Sequence, residues 1–401
     1  MINNAHISTS QSKTWLDLFV IMMIAYDILT MVTGGFVVSF LRWFLLAWYL
    51  LAFVRNFANV HKSPTFVKML TVLFVMFLVY GLIVIVEKKD FITWRHNERT
   101  IRSFTYLLQI CFSMLPVFVF YYYGKIGVLT KEYLIRRLPL FFITMYLCYH
   151  FTGVARMAYR GAEEVTNNAG YIVLSIIPML MFLKPGSLKQ YLYLGFCLIL
   201  IVFSVKRGAI IISLALAGIF FLYLFRKTTG LKKFFVIFAL IVGMIGAYSV
   251  FDKMLDSRSY FQERVDDTME GDSSGRDIIY EFFWNYYRNN TTQEEFLVGM
   301  GANATLDIFG QYAHNDWLEI AINQGLLGIV IYLLYWISFL RLLRKKNLPP
   351  DVKVALWMLF MIGFLKTLFS MSYREYTVYY SMVLGYCVAI ANNNGCAVKK
   401  R

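Results

Sequence analysis

The chain has 401 residues, 59% of them hydrophobic, with a mean hydropathy of +0.58. Soluble domains hold about 45–50% apolar residues, so a single soluble core is excluded and a polytopic membrane protein is indicated. The formal net charge is +15. With no basic soluble domain to carry nucleic acid, that charge is read as topological: Lys and Arg hold loops in the cytoplasm and are attracted to anionic lipids.

In chain order, a polar N-terminus leads to Trp15, which opens a full-length apolar stretch with no small-residue cleavage site after it. It is read as the edge of a retained signal anchor. At about 20 apolar residues per crossing, twelve spans follow: 15–33, 36–54, 66–86, 104–123, 138–152, 170–183, 190–204, 208–225, 234–251, 317–340, 354–371 and 376–392. The fifth to seventh are short; they either extend through flanking polar residues or are partly re-entrant. Basic residues gather in alternate loops, among them Lys62, Lys131, Arg136, Lys184, Lys232, Arg344 and Lys345, which predicts that both termini are cytoplasmic. The organisation is one membrane domain in three parts: nine spans in 1–251, a long outer loop in 252–313, and three spans in 314–401. Within the loop, Ile279, Phe282, Phe283 and Tyr286 recur at helical spacing. One or two amphipathic helices lying on the membrane surface are expected there. Five scattered cysteines form no CxxC or Cys/His cluster, so no metal site and no disulfide framework is inferred.

The most informative stretch is Gly299–Tyr332, a Gly-rich polar loop that runs through His314-Asn315-Asp316 into an apolar helix. Asp316 is read as the N-cap, with Glu319 three residues on as its capping-box partner. First-turn amides and the helix dipole make such a mouth receptive to anions. The same positive field holds a neighbouring imidazole neutral, with a pKa below its usual value of about 6.5, so His314 is the candidate base. Glu319 has a catalytic reading beside the capping one. Gly325 and Gly328 are read as permitting close helix packing.

Several charges stand where they are costly. Arg207, in the turn Ser204-Val-Lys-Arg-Gly between two apolar runs, either snorkels or grips a diphosphate with its planar fork. Arg276, in Ser274-Gly-Arg-Asp, is either solvated beside Asp277 or a second phosphate contact. Arg156 and Arg160, after the fifth span, either line an acceptor sugar or form a solvated run. Arg374, beside Glu375, is open to the same two readings. Arg42 and Lys366 lie within spans and are read as snorkelling or paired.

These residues resemble the O-antigen ligase/polymerase (Wzy/WaaL) superfamily. The resemblance lies in His314-Asn315-x-x-Leu318 followed by Gly325-x-x-Gly328, in a long outer loop with Gly299-x-Gly301, in Lys206-Arg207-Gly208 at the start of a span, and in Ser274-Gly-Arg-Asp. Lys206 replaces the serine usual in the family. The resemblance implies a GT-C-like all-α fold in the bacterial inner membrane, with the long loop periplasmic. It also implies inverting glycosyl transfer without metal or cofactor, from a glycan on undecaprenyl diphosphate. The catalytic residue would be His314, the diphosphate ligands Arg207 and Arg276, and further substrate contacts Arg156, Arg160, Lys206, Asn315 and Glu319. The acceptor is another lipid-linked repeat unit in a polymerase, the reading favoured here, and the lipid A-core of lipopolysaccharide in a ligase. A chain-length regulator and a flippase are the implied partners. A transporter of lipid-linked glycans and a non-catalytic assembly protein are the readings from other classes. Transporters, however, place charges near the midplane and show repeated halves, neither of which is seen here.

Overall fold

A computed structural model of the chain describes residues 9–32, 35–93, 99–160, 169–257, 275–374 and 377–398. The fold is all-helical apart from a short antiparallel hairpin, β1 (Phe91–Thr93) and β2 (Arg99–Ile101), with Phe91 opposite Ile101. The helices are α1 (Thr9–Val32), α2 (Phe36–Phe57), α3 (Thr65–Val86), α4 (Ser103–Met114), α5 (Pro116–Lys125), α6 (Lys131–Arg160), α7 (Ala169–Leu174), α8 (Leu188–Phe203), α9 (Arg207–Lys227) and α10 (Leu231–Ser257). After them come α11 (Arg276–Asn289), α12 (Gln293–Val298), α13 (Ala304–Phe309), α14 (Asp316–Leu343), α15 (Pro350–Phe369) and α16 (Val378–Val398). Among the described residues, five segments are long and apolar enough to cross a membrane: α2, α3, α4 with α5, α9 and α14. The chain is a polytopic membrane protein.

The short fifth and sixth stretches resolve differently. The fifth extends on both sides into α6, whose 30 residues contain Pro139. The sixth breaks: α7 stops, and Pro178 opens a 3-10 turn over Ile177–Phe182 in which every residue is buried. Proline lacks the amide that a continuing helix needs. Irregular backbone at such a place is tolerated because protein, not lipid, surrounds it.

α14 is not the continuous helix that its apolar pattern predicts. Gly325 has φ 64° and ψ −161°, a conformation that is nearly exclusive to glycine. The break frees the carbonyls of Ile322 and Asn323, which accept from Met300 N (2.9 Å) and Gly301 N (3.0 Å). The Gly299 loop is thereby stitched onto the broken helix. A Cβ on Gly325 would stand 2.5 Å from Gly299 N and 2.6 Å from the Leu297 carbonyl carbon. Gly325 therefore serves a break and a backbone crossing rather than the helix packing its spacing suggests. Gly325→Ala should destabilise the fold by more than the ~1–2 kcal/mol of a left-handed alanine alone. The thermal midpoint in detergent reads this out, and an unchanged midpoint would contradict the crossing.

The loop segment also departs from expectation. α11 does not lie as an isolated surface helix. Its buried residues Ile279, Phe283 and Tyr287 form a small core with Ala304, Ala313, Ala321 and Ile322. The apolar face of α11 thus packs on the first half of α14. The capping box of this region belongs to α12: Glu295 N donates to Thr292 Oγ1 (3.2 Å), and Thr292 N donates to Glu295 Oε2 (2.8 Å). Tyr80 donates to the Val298 carbonyl and Lys89 pairs with Asp307, which ties the end of α3 to the same segment. Residues 258–274, with Gly271-Asp-Ser-Ser, lie outside the described residues.

Candidate functional site

The mouth of α14 is capped by Asn315, not by Asp316. Asn315 Oδ1 accepts from the amides of Trp317 (2.9 Å) and Leu318 (3.3 Å), and its Nδ2 donates to the Leu368 carbonyl at the end of α15 (3.2 Å). The Glu319 amide bonds to the Asn315 carbonyl at 2.9 Å. The first-turn amides are therefore satisfied within the chain, and the helix end does not offer the bare anion cradle expected of it. Glu319 is not a capping-box partner. It is fully buried and accepts from Thr305 Oγ1 (2.8 Å), Ala313 N (3.0 Å) and Asn323 Nδ2 (3.1 Å). A buried carboxylate is tolerated when donors saturate it, and these donors fix the 304–313 segment onto α14.

His314 precedes this cap at φ 53°, in the left-handed region that non-glycine residues seldom enter. Tyr280, on α11, donates its hydroxyl to the His314 carbonyl (3.2 Å) and to the Leu368 carbonyl (3.1 Å). Burial pushes the Tyr280 phenol above its ordinary value, and the Arg276 charge and Asn315 pull it back only in part. It stays a neutral donor at neutral pH. Arg276 stands one turn before Tyr280 on the same face of α11. The structure thus brings Arg276, Tyr280, His314 and Asn315 together at the end of α15.

Arg207 opens α9, with Lys206 as the N-cap residue, and both are half-buried. The residue before them, Val205, is buried with φ 54°. A β-branched residue at positive φ is strained by about 1–3 kcal/mol, and such strain gathers at functional sites. Two motif segments therefore carry non-glycine left-handed residues, Val205 beside Lys206-Arg207 and His314 beside Asn315. The Ser204 turn abuts Gly170 on α7. On α7, Tyr171 carries the Lys366 ammonium of α15 over its ring at 4.9 Å. Arg276 and His314 stand at the α14 side of α15, and α15 packs against both α14 and α9, the helix that Arg207 opens. Arg156 and Arg160 belong to the last turns of α6 rather than to a loop, and their side chains lie outside the described residues.

Three charged groups of this region are more deeply buried than the sequence reading placed them. Asp316 is fully buried, accepting from Tyr332 Oη (2.6 Å), Ser372 N (2.8 Å) and Tyr373 N (3.4 Å), with Lys366 close enough to act on it electrostatically. Lys366 and Arg374 are 4% and 6% exposed, so neither is a snorkelling or solvated residue. Arg374 donates to Tyr373 Oη (3.0 Å) and lies over the rings of Tyr106 and Tyr312, each at 4.8 Å. The available signal was their cost, since a charge within or beside an apolar span needs a reason. Several of their partners, such as Ser372 for Asp316 and Tyr106 for Arg374, are far off in sequence, where no spacing rule reaches. Among the described residues, no group of three His, Cys, Asp or Glu side chains is placed to hold a metal.

Residues 192–333 match the family model described as O-antigen ligase. That segment runs from α8 to the middle of α14 and holds Arg207, Arg276, His314, Asn315 and Gly325. Over that stretch the chain is similar to the O-antigen ligase family. No curated protein matches it.

Proposed function

We propose that the protein polymerises undecaprenyl-diphosphate-linked repeat units into O-antigen or another surface polysaccharide. The observation that carries this reading is the convergence of Arg276, Tyr280 and His314 at the end of α15, the helix on which α9, opened by Arg207, also packs. In this reading the chain is an inner-membrane protein of twelve spans with a GT-C-like arrangement. Both termini are cytoplasmic and the 252–313 loop is periplasmic.

The acceptor hydroxyl oxygen attacks the anomeric carbon of the donor sugar. The bond from that carbon to the diphosphate breaks, its electron pair leaves on the diphosphate oxygen, and the anomeric centre inverts. His314 takes the hydroxyl proton. Arg207 and Arg276 stabilise the charge that grows on the leaving group, as fixed cations do for a departing phosphate. Tyr280, by holding the His314 carbonyl, positions the imidazole. Lys206 and Asn315 flank the site, and Arg156 and Arg160 are assigned to the acceptor sugar. Glu319, saturated by protein donors, is a structural carboxylate in this scheme. A chain-length regulator and a flippase are the proposed partners.

The second reading, ligation of the glycan to lipid A-core, is favoured by the description of the matching family model. Purified protein given lipid-linked repeat units together with lipid A-core separates the two. A ladder of lengthened lipid-linked chains is the polymerase result; glycan appearing only on lipid A-core is the ligase result and would overturn the preferred reading. The orientation is checked separately. Gln293 is exposed on α12, and Gln293→Cys in a cysteine-free background should react with an impermeant maleimide from the periplasm. Reaction only from the cytoplasm would invert the topology and remove the proposed chemistry from the compartment it needs.

A further inference from the structure

A cavity with a few charged residues in a mostly apolar wall lies in a part of the fold outside the matched segment 192–333. It has a volume of about 440 Å³ and is walled by α1, α2, α4, α6, α7, the start of α16, Arg374 and Thr377. Two arginines line it, Arg42 and Arg374, together with one carboxylate, Asp27. Arg42 is held by Tyr26, whose hydroxyl accepts from its Nε at 3.4 Å. Arg374 is 6% exposed, and both of its terminal nitrogens are buried without a hydrogen-bond partner. Among the described residues, the ion pairs join Lys89 to Asp307, Lys131 to Asp351 and Arg137 to Asp17, and neither cavity arginine takes part in one.

A guanidinium keeps its charge at any working pH, so burial cannot neutralise it. Leaving its donors unmade is costly, and more so for a charged group. The three surrounding tyrosine rings and the nearby charge of Glu319 stabilise the cation, but Nη1 and Nη2 make no hydrogen bond. Their fork matches two oxygens of a carboxylate or a phosphate. The volume lies within the ~300–1,000 Å³ usual for small-molecule sites. Tyr26, Phe112 and Tyr379 offer apolar ring faces, and Asp27 can accept from hydroxyls, a lining suited to a sugar that also carries an anion. Tyr312, which covers Arg374, stands two residues before His314. The cavity's Arg374 is thereby joined, through Tyr312, to the segment that carries His314.

We infer that this cavity is a glycan-binding subsite for an acidic sugar residue, one bearing a carboxylate or a phosphate, and that it restricts the enzyme to acidic glycans. The inference rests on the transferase reading above, because it takes the ligand to be part of the glycan. It also accounts for where the site sits. The transfer chemistry lies in the segment that matches the family model, and the proposed choice of sugar lies in helices outside it.

The test is saturation-transfer NMR on the full-length protein in detergent, with glucuronate, glucose 1-phosphate and glucose as probes. At least one acidic probe should bind about tenfold more tightly than glucose, a difference of about 1.4 kcal/mol; which acid binds better tells carboxylate from phosphate. Arg374→Gln and Arg42→Gln should each abolish that preference, and His314→Ala should keep it. Should Arg374→Gln fail to fold, Arg42→Gln carries the test alone, since Arg42 is only half-buried on α2. Equal binding of glucose, no binding of either acid, or an intact acid preference in Arg42→Gln would overturn the inference. An inactive enzyme that keeps the acid preference counts against the transferase reading alone. An active enzyme without the preference counts against this subsite alone.

Discussion

His314→Ala lowers the rate of glycan transfer by about 10²–10⁴-fold, the usual worth of a positioned general base, while binding of the lipid diphosphate changes little. The separation follows from the division of labour at the site. In the proposed mechanism the arginines hold the donor and the imidazole acts on the acceptor proton, so the loss should fall on kcat rather than on donor affinity. Backbone geometry supports the assignment, since His314 is kept at φ 53° by the Asn315 cap on one side and the Tyr280 hydroxyl on its carbonyl. The sign of the pH dependence is fixed by the role. A base works unprotonated, so activity falls as pH drops and the imidazole gains a proton, and His314→Ala loses this acid limb. A His314→Ala enzyme that builds long polymer at the normal rate would remove the base from the mechanism.

Arg207→Ala and Arg276→Ala each cost about 10²–10³-fold in turnover, comparable to the loss of one donor from a preorganised anion site. Both proteins should remain folded, because each arginine opens its helix half-exposed rather than sitting in the core. Lysine restores the charge but not the fork, so Arg→Lys recovers only a small part of the rate. Rates and donor binding measured on all four variants check this. Near-normal polymer from both lysine variants would reduce the role to bulk charge, and full activity from the alanine variants would abolish it.

Much of the site's outline was legible because it rests on local rules. The apolar stretches located the helices, and Lys206-Arg207-Gly208, Ser274-Gly-Arg-Asp and His314-Asn315 marked helix starts that the structure places at α9, α11 and α14. What failed depended on contacts between distant residues. Asp316 and Glu319 look like a cap and its partner in sequence, yet the cap is Asn315. Both carboxylates turn inward, to donors at Ser372, Tyr332 and Thr305 among others. The break at Gly325 was hidden by the apolar residues that follow it, and its cause, the Gly299 backbone, is 26 positions upstream. Arg374 looked like a loop charge facing Glu375. Its burial beneath Tyr312 and Tyr106 is decided by α4 and by the segment before α14, which no local pattern reports.

The central claim is that this membrane protein breaks the sugar–diphosphate bond of a lipid-linked glycan. The most direct measurement follows a labelled lipid-linked repeat unit with purified protein in liposomes, without nucleotide sugars. The account predicts free undecaprenyl diphosphate released in step with inverted glycosidic linkages, in wild type but not in His314→Ala. Movement of the intact lipid-linked glycan across the bilayer, with no lipid diphosphate released by either protein, would contradict it.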